Sequence, residues 1–345
     1  MDDGDLLILS GDDVRGFLKG REAELMEAVA AAYRAHSEGR TELPHSTFLR
    51  FPGQPRDRII ALPAYLGGDL PVAGIKWVSS FPGNRELGLE RASALVILNS
   101  TLTGRPHAVL EGSLINARRT AASAAVAALS LCSPLPHPVL AVIGCGVINH
   151  EVVRFLLKAR PGIQRLLVHD LDRDRAGRFA AEWRRRRPDL QAEVVDCAGA
   201  LASARLVSIA TTALEPHIDD LSACPAGTTI LHISLRDLSP RAILGCVNIT
   251  DDADHVCRAE TSLHLAEQQV GHREFISAGL GDVLRGAATG RPDADALVVF
   301  SPFGLGILDL AVARLVTDLA GGSGRGSLLR GFLSGAPVVA AGAPA

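Results

Sequence analysis

The chain of 345 residues lacks a strong excess of charge of either sign, its formal net charge being -3. No global field therefore draws it to nucleic acid or to an anionic membrane. It also lacks paired thiols. Cys132, Cys145, Cys197, Cys224, Cys246 and Cys257 form no C-x-x-C pair, and none stands at zinc-ligand spacing with a histidine, so neither a redox dithiol nor a metal site is expected. Long apolar runs are missing as well. Nothing approaches the ~20 residues of a membrane span, and the opening MDDGDLLILS is acidic, without an apolar signal core. Reduced thiols without an export signal predict a cytoplasmic protein. The one basic run, Arg184 to Arg187, follows Phe179 and Trp183 at helical spacing and stops at Pro188, which suits a solvated helix end.

What is present is a packable composition, 47% hydrophobic and 21% charged, on a chain long enough for two domains. From Pro138 onward, short runs apolar on both faces alternate with helical stretches: PVLAVIG (138–144), RLLVHD (165–170), AEVVD (192–196), LVSIAT (206–211), TTILHIS (228–234), VNITDD (247–252) and ALVVFS (296–301), with helices over 147–160 and 172–187. This pattern predicts an α/β domain, a doubly wound parallel sheet covered on both sides, over 126–304. Residues 1–125 read differently. After a helix at 22–37, the strand-like STFLRF, RIIALPA, VAGIKWVSS and ASALVILNS are joined by Gly/Pro/Asn turns, and LTGRPH resembles a hairpin connection. They predict a mixed-sheet α+β domain, to which a last helix at 305–320 returns, so that 305–322 belongs with it. The Ala-rich INARRTAASAAVAALSL joins the two regions. The Gly/Ala/Pro-rich 323–345 is expected to be a disordered tail.

Gly144-Cys145-Gly146 falls where the first strand of the parallel sheet turns into its helix, so Gly144, Gly146, Val147 and Ile148 present backbone N–H groups to a pyrophosphate. Asn149 stands at the third position of this Rossmann fingerprint in place of Gly or Ala. Asp170 closes the second strand 24 positions after Gly146, where an acid holds the ribose hydroxyls and repels a 2′-phosphate. NAD is therefore expected over NADP, although Arg173 and Arg175 lie close by. Asp170 could instead only cap the following helix.

The first region holds cations in apolar surroundings. Lys76 sits inside GIKWV, Arg118 and Arg119 open the Ala-rich helix, where their charges oppose its dipole, and Arg50 and Arg91 lie beside apolar strands. Such groups are rarely buried without anionic partners. Structural salt bridges are the plain alternative for Arg50 or Arg91; Lys76 with Arg119 suits a carboxylate, which a guanidinium fork grips in two places. In HISLRDLSP, Asp237 follows a parallel strand at the sheet edge where ligands bind, placed to face a substrate amine, with helix capping as its other role.

KWVSSFPGN (76–84), Thr103-Gly104, ARRTAASAA (117–125), the Gly144-x-Gly146 loop, Asp170 and the strand before Asp237 together resemble the ornithine cyclodeaminase/mu-crystallin family, to about residue 320. The resemblance implies a Rossmann domain plus a dimerising sheet domain, hence a homodimer, and use of NAD(P) on amino or imino acids. It implies that Lys76, Arg119 and Arg50 bind a substrate carboxylate, and that Asp237 is the acid/base residue at the amine. RIIALPAYLGG, RASALVILNS and ISLRDLSP are most similar to the branch that supplies 2,3-diaminopropionate for siderophores and peptide antibiotics, by NAD-dependent oxidation of N-(1-amino-1-carboxy-2-ethyl)-L-glutamate and hydrolysis of the imine to 2-oxoglutarate. Ile60 stands where the cyclodeaminase pattern has an acid, and Arg91, Arg118 and Arg236 where it is uncharged, which suits a substrate with three carboxylates. Thr211, Thr212 and Ser301, on loops after later strands, would then line the nicotinamide. Ornithine cyclodeamination, ketimine reduction and non-enzymatic dinucleotide binding are the rival readings.

Overall fold

The computed structural model describes residues 4–69, 71–133 and 138–333. Their strands form two eight-stranded sheets. The first contains β1 (Leu6–Leu9), β2 (Thr41–Glu42), β3 (Thr47–Phe51), β4 (Gln54–Leu66), β5 (Val72–Ser80), β6 (Ala92–Asn99) and β7 (Pro106–Glu111). The second contains β8 (Val139–Ile143), β9 (Arg165–His169), β10 (Gln191–Val194), β11 (Leu206–Ile209), β12 (Thr229–His232), β13 (Val247–Thr250), β14 (Ile276–Gly279) and β15 (Val298–Phe300). A last strand, β16 (Ser327–Leu329), joins the first sheet at its edge.

Every pairing in the second sheet is parallel, in the order β10-β9-β8-β11-β12-β15-β13-β14. The order reverses at β8 and β11, the switch point of a doubly wound sheet, where ligands of such folds bind. The helices relevant to that edge are α4 (Val147–Ala159) and α5 (Arg173–Arg186), which follow α1 (Gly11–Phe17), α2 (Glu22–Ser37) and α3 (Ser113–Leu131) in the chain. The short helices α6 (Cys197–Ser203) to α10 (Leu280–Leu284) follow, and α11 (Gly306–Ala320) ends the helical part. The sequence pattern contains no signal for β14, whose ISAG is short and glycine-ended.

The first sheet is mixed, with antiparallel β4, β5, β6 and β7 at its centre. Pro63, which has no N–H to offer, lies in β4 between the stretches paired by β3 and β2, so no ladder bond is lost there. Pleating divides the sheet into two faces. Lys76, opposite Leu62 and Val96, points to the face covered by α2, α3 and α11. Leu49, Trp77 and Leu95 point the other way and are exposed. Although α11 follows the second sheet in sequence, it packs on α2, α3 and β4 to β6.

The expected disordered tail is corrected in part. Ser327–Leu329 pairs antiparallel with β1, and the N–H groups of Gly331 and Leu333 donate to Asp5 and to the Gly4 carbonyl. The open edge of β1 offers unpaired backbone groups, which the backbone of Ser327–Leu329 takes up. Residues 334–345 lie outside the described residues.

Candidate active site

The tight turn after β8 is fixed by Gly144, whose φ of +91° and whose approach to the Ala210 carbonyl (a Cβ would lie 2.4 Å from that oxygen) exclude any other residue. Gly146 is the N-cap of α4, with open space where its Cβ would stand, so the helix N-terminus is accessible to a phosphate. Val147, next, is exposed, while Ile148 packs on the core. Asn149 serves as a staple. Its side-chain amide donates to the Ile143 and Gly144 carbonyls and its Oδ1 accepts from Ser208, holding the glycine turn against β11. Asp170 accepts from the Cys145 N–H at 2.8 Å and from the Asp172 N–H at 2.9 Å, which fixes its carboxylate beside the glycine loop. Arg175 is 3.8 Å from it. The loop, the open helix end and the acid fit a dinucleotide.

Lys76 and Arg119 converge as the sequence predicts, but on an acid it does not reveal. The Lys76 ammonium donates to Asp309 Oδ2 at 2.7 Å and to Asn116 Oδ1 at 2.9 Å. Arg119 donates through Nε to Asp309 Oδ1 at 3.2 Å and through Nη2 to the same Asn116 oxygen at 2.9 Å. All three charged groups are buried. Two cations facing one carboxylate leave one positive charge uncompensated in a dry site, a demand that a single carboxylate meets. Burial, opposed by Asp309 and assisted by Arg119, brings Lys76 down to about 8. Gly304, at φ +92°, lets its loop lie against the Arg119 guanidinium. That loop is fixed in turn by buried Asp251, which accepts the N–H groups of Phe303 and Gly304.

Asp237 lies beyond the carboxyl end of β12 and is fully buried. It accepts the hydroxyls of Thr211 and Ser234 and Nε2 of His217 at 3.1 Å, and His232 lies 3.3 Å away. Burial alone would push this carboxyl up, but hydrogen bonding to and the charge of His232, with the two hydroxyls, hold it well below the usual carboxylate range. An acid this reluctant to take a proton is better suited to balance a cationic nitrogen than to store its proton. Leu235, two residues earlier, has φ of 69°, a strained conformation for a branched side chain at a turn that sets the direction of Arg236 and Asp237.

Other expected residues fall differently. Arg118 is not brought to Lys76. One position along α3 it turns toward α4, where its Nε forms an ion pair with Glu151 at 3.7 Å, and its buried Nε and Nη1 make no hydrogen bond. Successive helical residues diverge by about 100°, so Arg118 and Arg119 cannot serve one pocket. Nor do they open the helix, which begins at Ser113 with Glu111 receiving its first N–H groups. Ser301 is buried with its hydroxyl on His232 at 3.1 Å, so it supports the Asp237 cluster from behind. Thr211 is committed to Asp237, whereas Thr212 beside it is exposed. Arg50, Arg91 and Arg236 do come together, around a fourth arginine, Arg58, on which all three act electrostatically. Arg91 also donates to Ser80 at 3.0 Å.

The chain resembles known proteins over most of its length. It is 29% identical to the N-((2S)-2-amino-2-carboxyethyl)-L-glutamate dehydrogenase of Staphylococcus aureus over 92% of this chain and 96% of that protein. Among solved structures, the Thermococcus litoralis Delta(1)-pyrroline-2-carboxylate reductase in complex with NADH and L-proline superposes with a TM-score of 0.86 at 25% identity, covering 93% of this chain and 99% of the other. An archaeal alanine dehydrogenase dimer with bound NAD reaches a TM-score of 0.85 at 27% identity, over 94% and 99%. No helix among the described residues is long and apolar enough to cross a membrane. The model of one family matches residues 8–324, and the chain belongs to that family, the ornithine cyclodeaminase/mu-crystallin family.

Proposed function

We propose that this protein is an NAD-dependent oxidoreductase that oxidises the C–N bond of an amino acid carrying several carboxylates, N-(1-amino-1-carboxy-2-ethyl)-L-glutamate, to release 2-oxoglutarate and L-2,3-diaminopropionate for siderophore or peptide antibiotic assembly. The observation that carries this reading is the number of cations gathered on the Lys76 face of the first sheet and beside it. Beyond the Lys76–Arg119 pair that one carboxylate neutralises, Arg50, Arg58, Arg91 and Arg236 stand together. A substrate such as alanine or ornithine has no further anion to offer them. Ile60, on the same strand as Arg58, supplies no acid for a distal amine.

In this mechanism Lys76 and Arg119 hold the glutamyl α-carboxylate and fix the Cα–H direction. Gly144, Gly146 and Asp170 would hold NAD at the glycine loop, where it would supply the hydride acceptor for that carbon. The secondary amine reacts in its neutral form, its ammonium proton having passed to solvent, and Asp237 stays ionised and balances the protonated imine that hydride loss leaves. Water then adds to the imine carbon and the C–N bond breaks, giving the ketone of 2-oxoglutarate and the primary amine of diaminopropionate. The exposed apolar side chains Leu49, Trp77 and Leu95 support a homodimer paired through the outer face of the first sheet.

The deciding assay incubates protein and NAD with this precursor, L-ornithine and L-alanine side by side. NADH and 2-oxoglutarate formed in equal amounts from the precursor are expected. Proline from ornithine, with no 2-oxoglutarate from the precursor, would move the protein to the cyclodeaminase reading.

A further inference from the structure

Arg58 looks unremarkable in RDRIIALPA, a charged residue at the mouth of a strand. The register gives it a different place. Arg58 pairs with Arg50 of β3 on one side and with Ser80 of β5 on the other, and directly opposed residues share a face. Ser80 is four positions beyond Lys76, so by strand alternation Arg50, Arg58 and Ser80 stand on the face that carries Lys76. The backbones of the two sets are separated by about 13 Å at ~3.3 Å per residue, a gap that long arginine side chains are able to narrow. Arg91 reaches the same spot by donating to Ser80, and Arg236 approaches from the loop after β12, directly before Asp237. Arginines from both sheets and their loops therefore gather around Arg58.

The charged neighbours that act on Arg58 are Arg236, Arg91 and Arg50, and together with burial they pull its guanidinium down. Its Nε is buried without a hydrogen-bond partner. Arg236 has neighbours of its own, Glu260, Asp237 and the Ala259 carbonyl. A half-buried guanidinium with an orphaned Nε, ringed by three others, is costly in the free protein. A carboxylate bound there removes the cost.

We propose that Arg58 is the centre of an anion subsite, formed with Arg50, Arg91 and Arg236, that selects substrates bearing a carboxylate distal to the one held at Lys76 and Arg119. Arg58 is thus a specificity-determining residue. The assignment rests on the proposed function only for the identity of the natural ligand.

Pyruvate and 2-oxoglutarate test it, since they share the 2-oxo acid head and differ in a distal carboxylate. Each is titrated calorimetrically into the full-length protein with NADH present. The wild type is expected to bind 2-oxoglutarate at least about tenfold more tightly than pyruvate, and Arg58→Gln to bring that ratio to within about threefold with pyruvate unchanged. Arg58→Lys keeps the charge but not the fork, is expected to give a ratio between the two, and supplies the comparison should the glutamine variant fail to fold. Equal wild-type affinities, or an unchanged ratio in a folded variant, overturn the inference. The two proposals fail separately. Turnover of the diaminopropionate precursor with a KM indifferent to Arg58 sinks the subsite alone, whereas Arg58-dependent selectivity without turnover sinks only the proposed reaction.

Discussion

Asp309 sets the electrostatics of the cleft by holding two cations with one carboxylate. Removing Arg119 in Arg119→Ala takes away a charge-assisted, sheltered contact to substrate, which should cost about 2–4 kcal/mol of transition-state stabilisation, or roughly 30- to 1000-fold in kcat/KM. Asp237→Asn keeps the shape but removes the counter-charge, so kcat should fall by about a hundredfold while NAD affinity holds. Both belong on a scale of activity per folded molecule, because a purely structural role predicts losses that track the unfolded fraction. Lys76 adds a pH signature. Its ammonium is disfavoured in the fold, at about 8, relative to the unfolded chain. Its contribution to stability therefore improves as pH rises from about 8 toward the ordinary lysine range, while carboxylate binding, which needs the charge, is lost over the same rise. The free-enzyme profile of kcat/KM should bend downward near pH 8 and then fall about tenfold per unit; a profile flat to pH 9.5 would rule out a titrating Lys76.

The elements differ in how plainly the sequence announces them. The glycine turn, Asp170 and the strands from β8 to β13 were readable because each depends on neighbours within a few residues: a positive φ at Gly144, an apolar run, an acid at a strand end. Asp309 was not, since it lies 190 residues from Arg119 and 233 from Lys76 and reads as one more residue of an apolar helix. Arg58 was hidden for a related reason, as its partners arrive from β3, from the start of β6 and from the loop after β12. Arg118 shows the opposite error. A cation at the right place in a motif was expected to share its neighbour's pocket, and helical rotation sends it elsewhere. The local turn also supports a prediction for the cofactor. With the Asp170 carboxylate fixed at the glycine loop, NAD should bind at least about tenfold more tightly than NADP, and Asp170→Ser should narrow that gap. Equal affinities in the wild type, measured by calorimetry, would remove the acid from the argument.

At the scale of the whole molecule, the first sheet has one face under helices and one face bare. Leu49, Trp77 and Leu95 on the bare face are exposed in a single chain, and Trp77 is adjacent in sequence to Lys76, so that one strand supplies both the site and the outer surface. Light scattering at micromolar concentration should give the mass of two chains, and Trp77→Glu should shift it toward one chain while β5 still presents Lys76. A monomeric wild type would refute the pairing.

β16 has a practical consequence for anyone handling this polypeptide. By lying along β1, Ser327–Leu329 occupies backbone donors and acceptors that any other extended chain could otherwise use. Cutting the chain between Ala320 and Ser327, where a glycine-rich stretch invites it, leaves every catalytic candidate in place and yet uncovers a strand edge. Such a trimmed protein should be active when fresh and sticky on storage, self-associating through β1 into material of no fixed size, and a short peptide spanning 325–333 added in excess should slow that loss by covering the edge again.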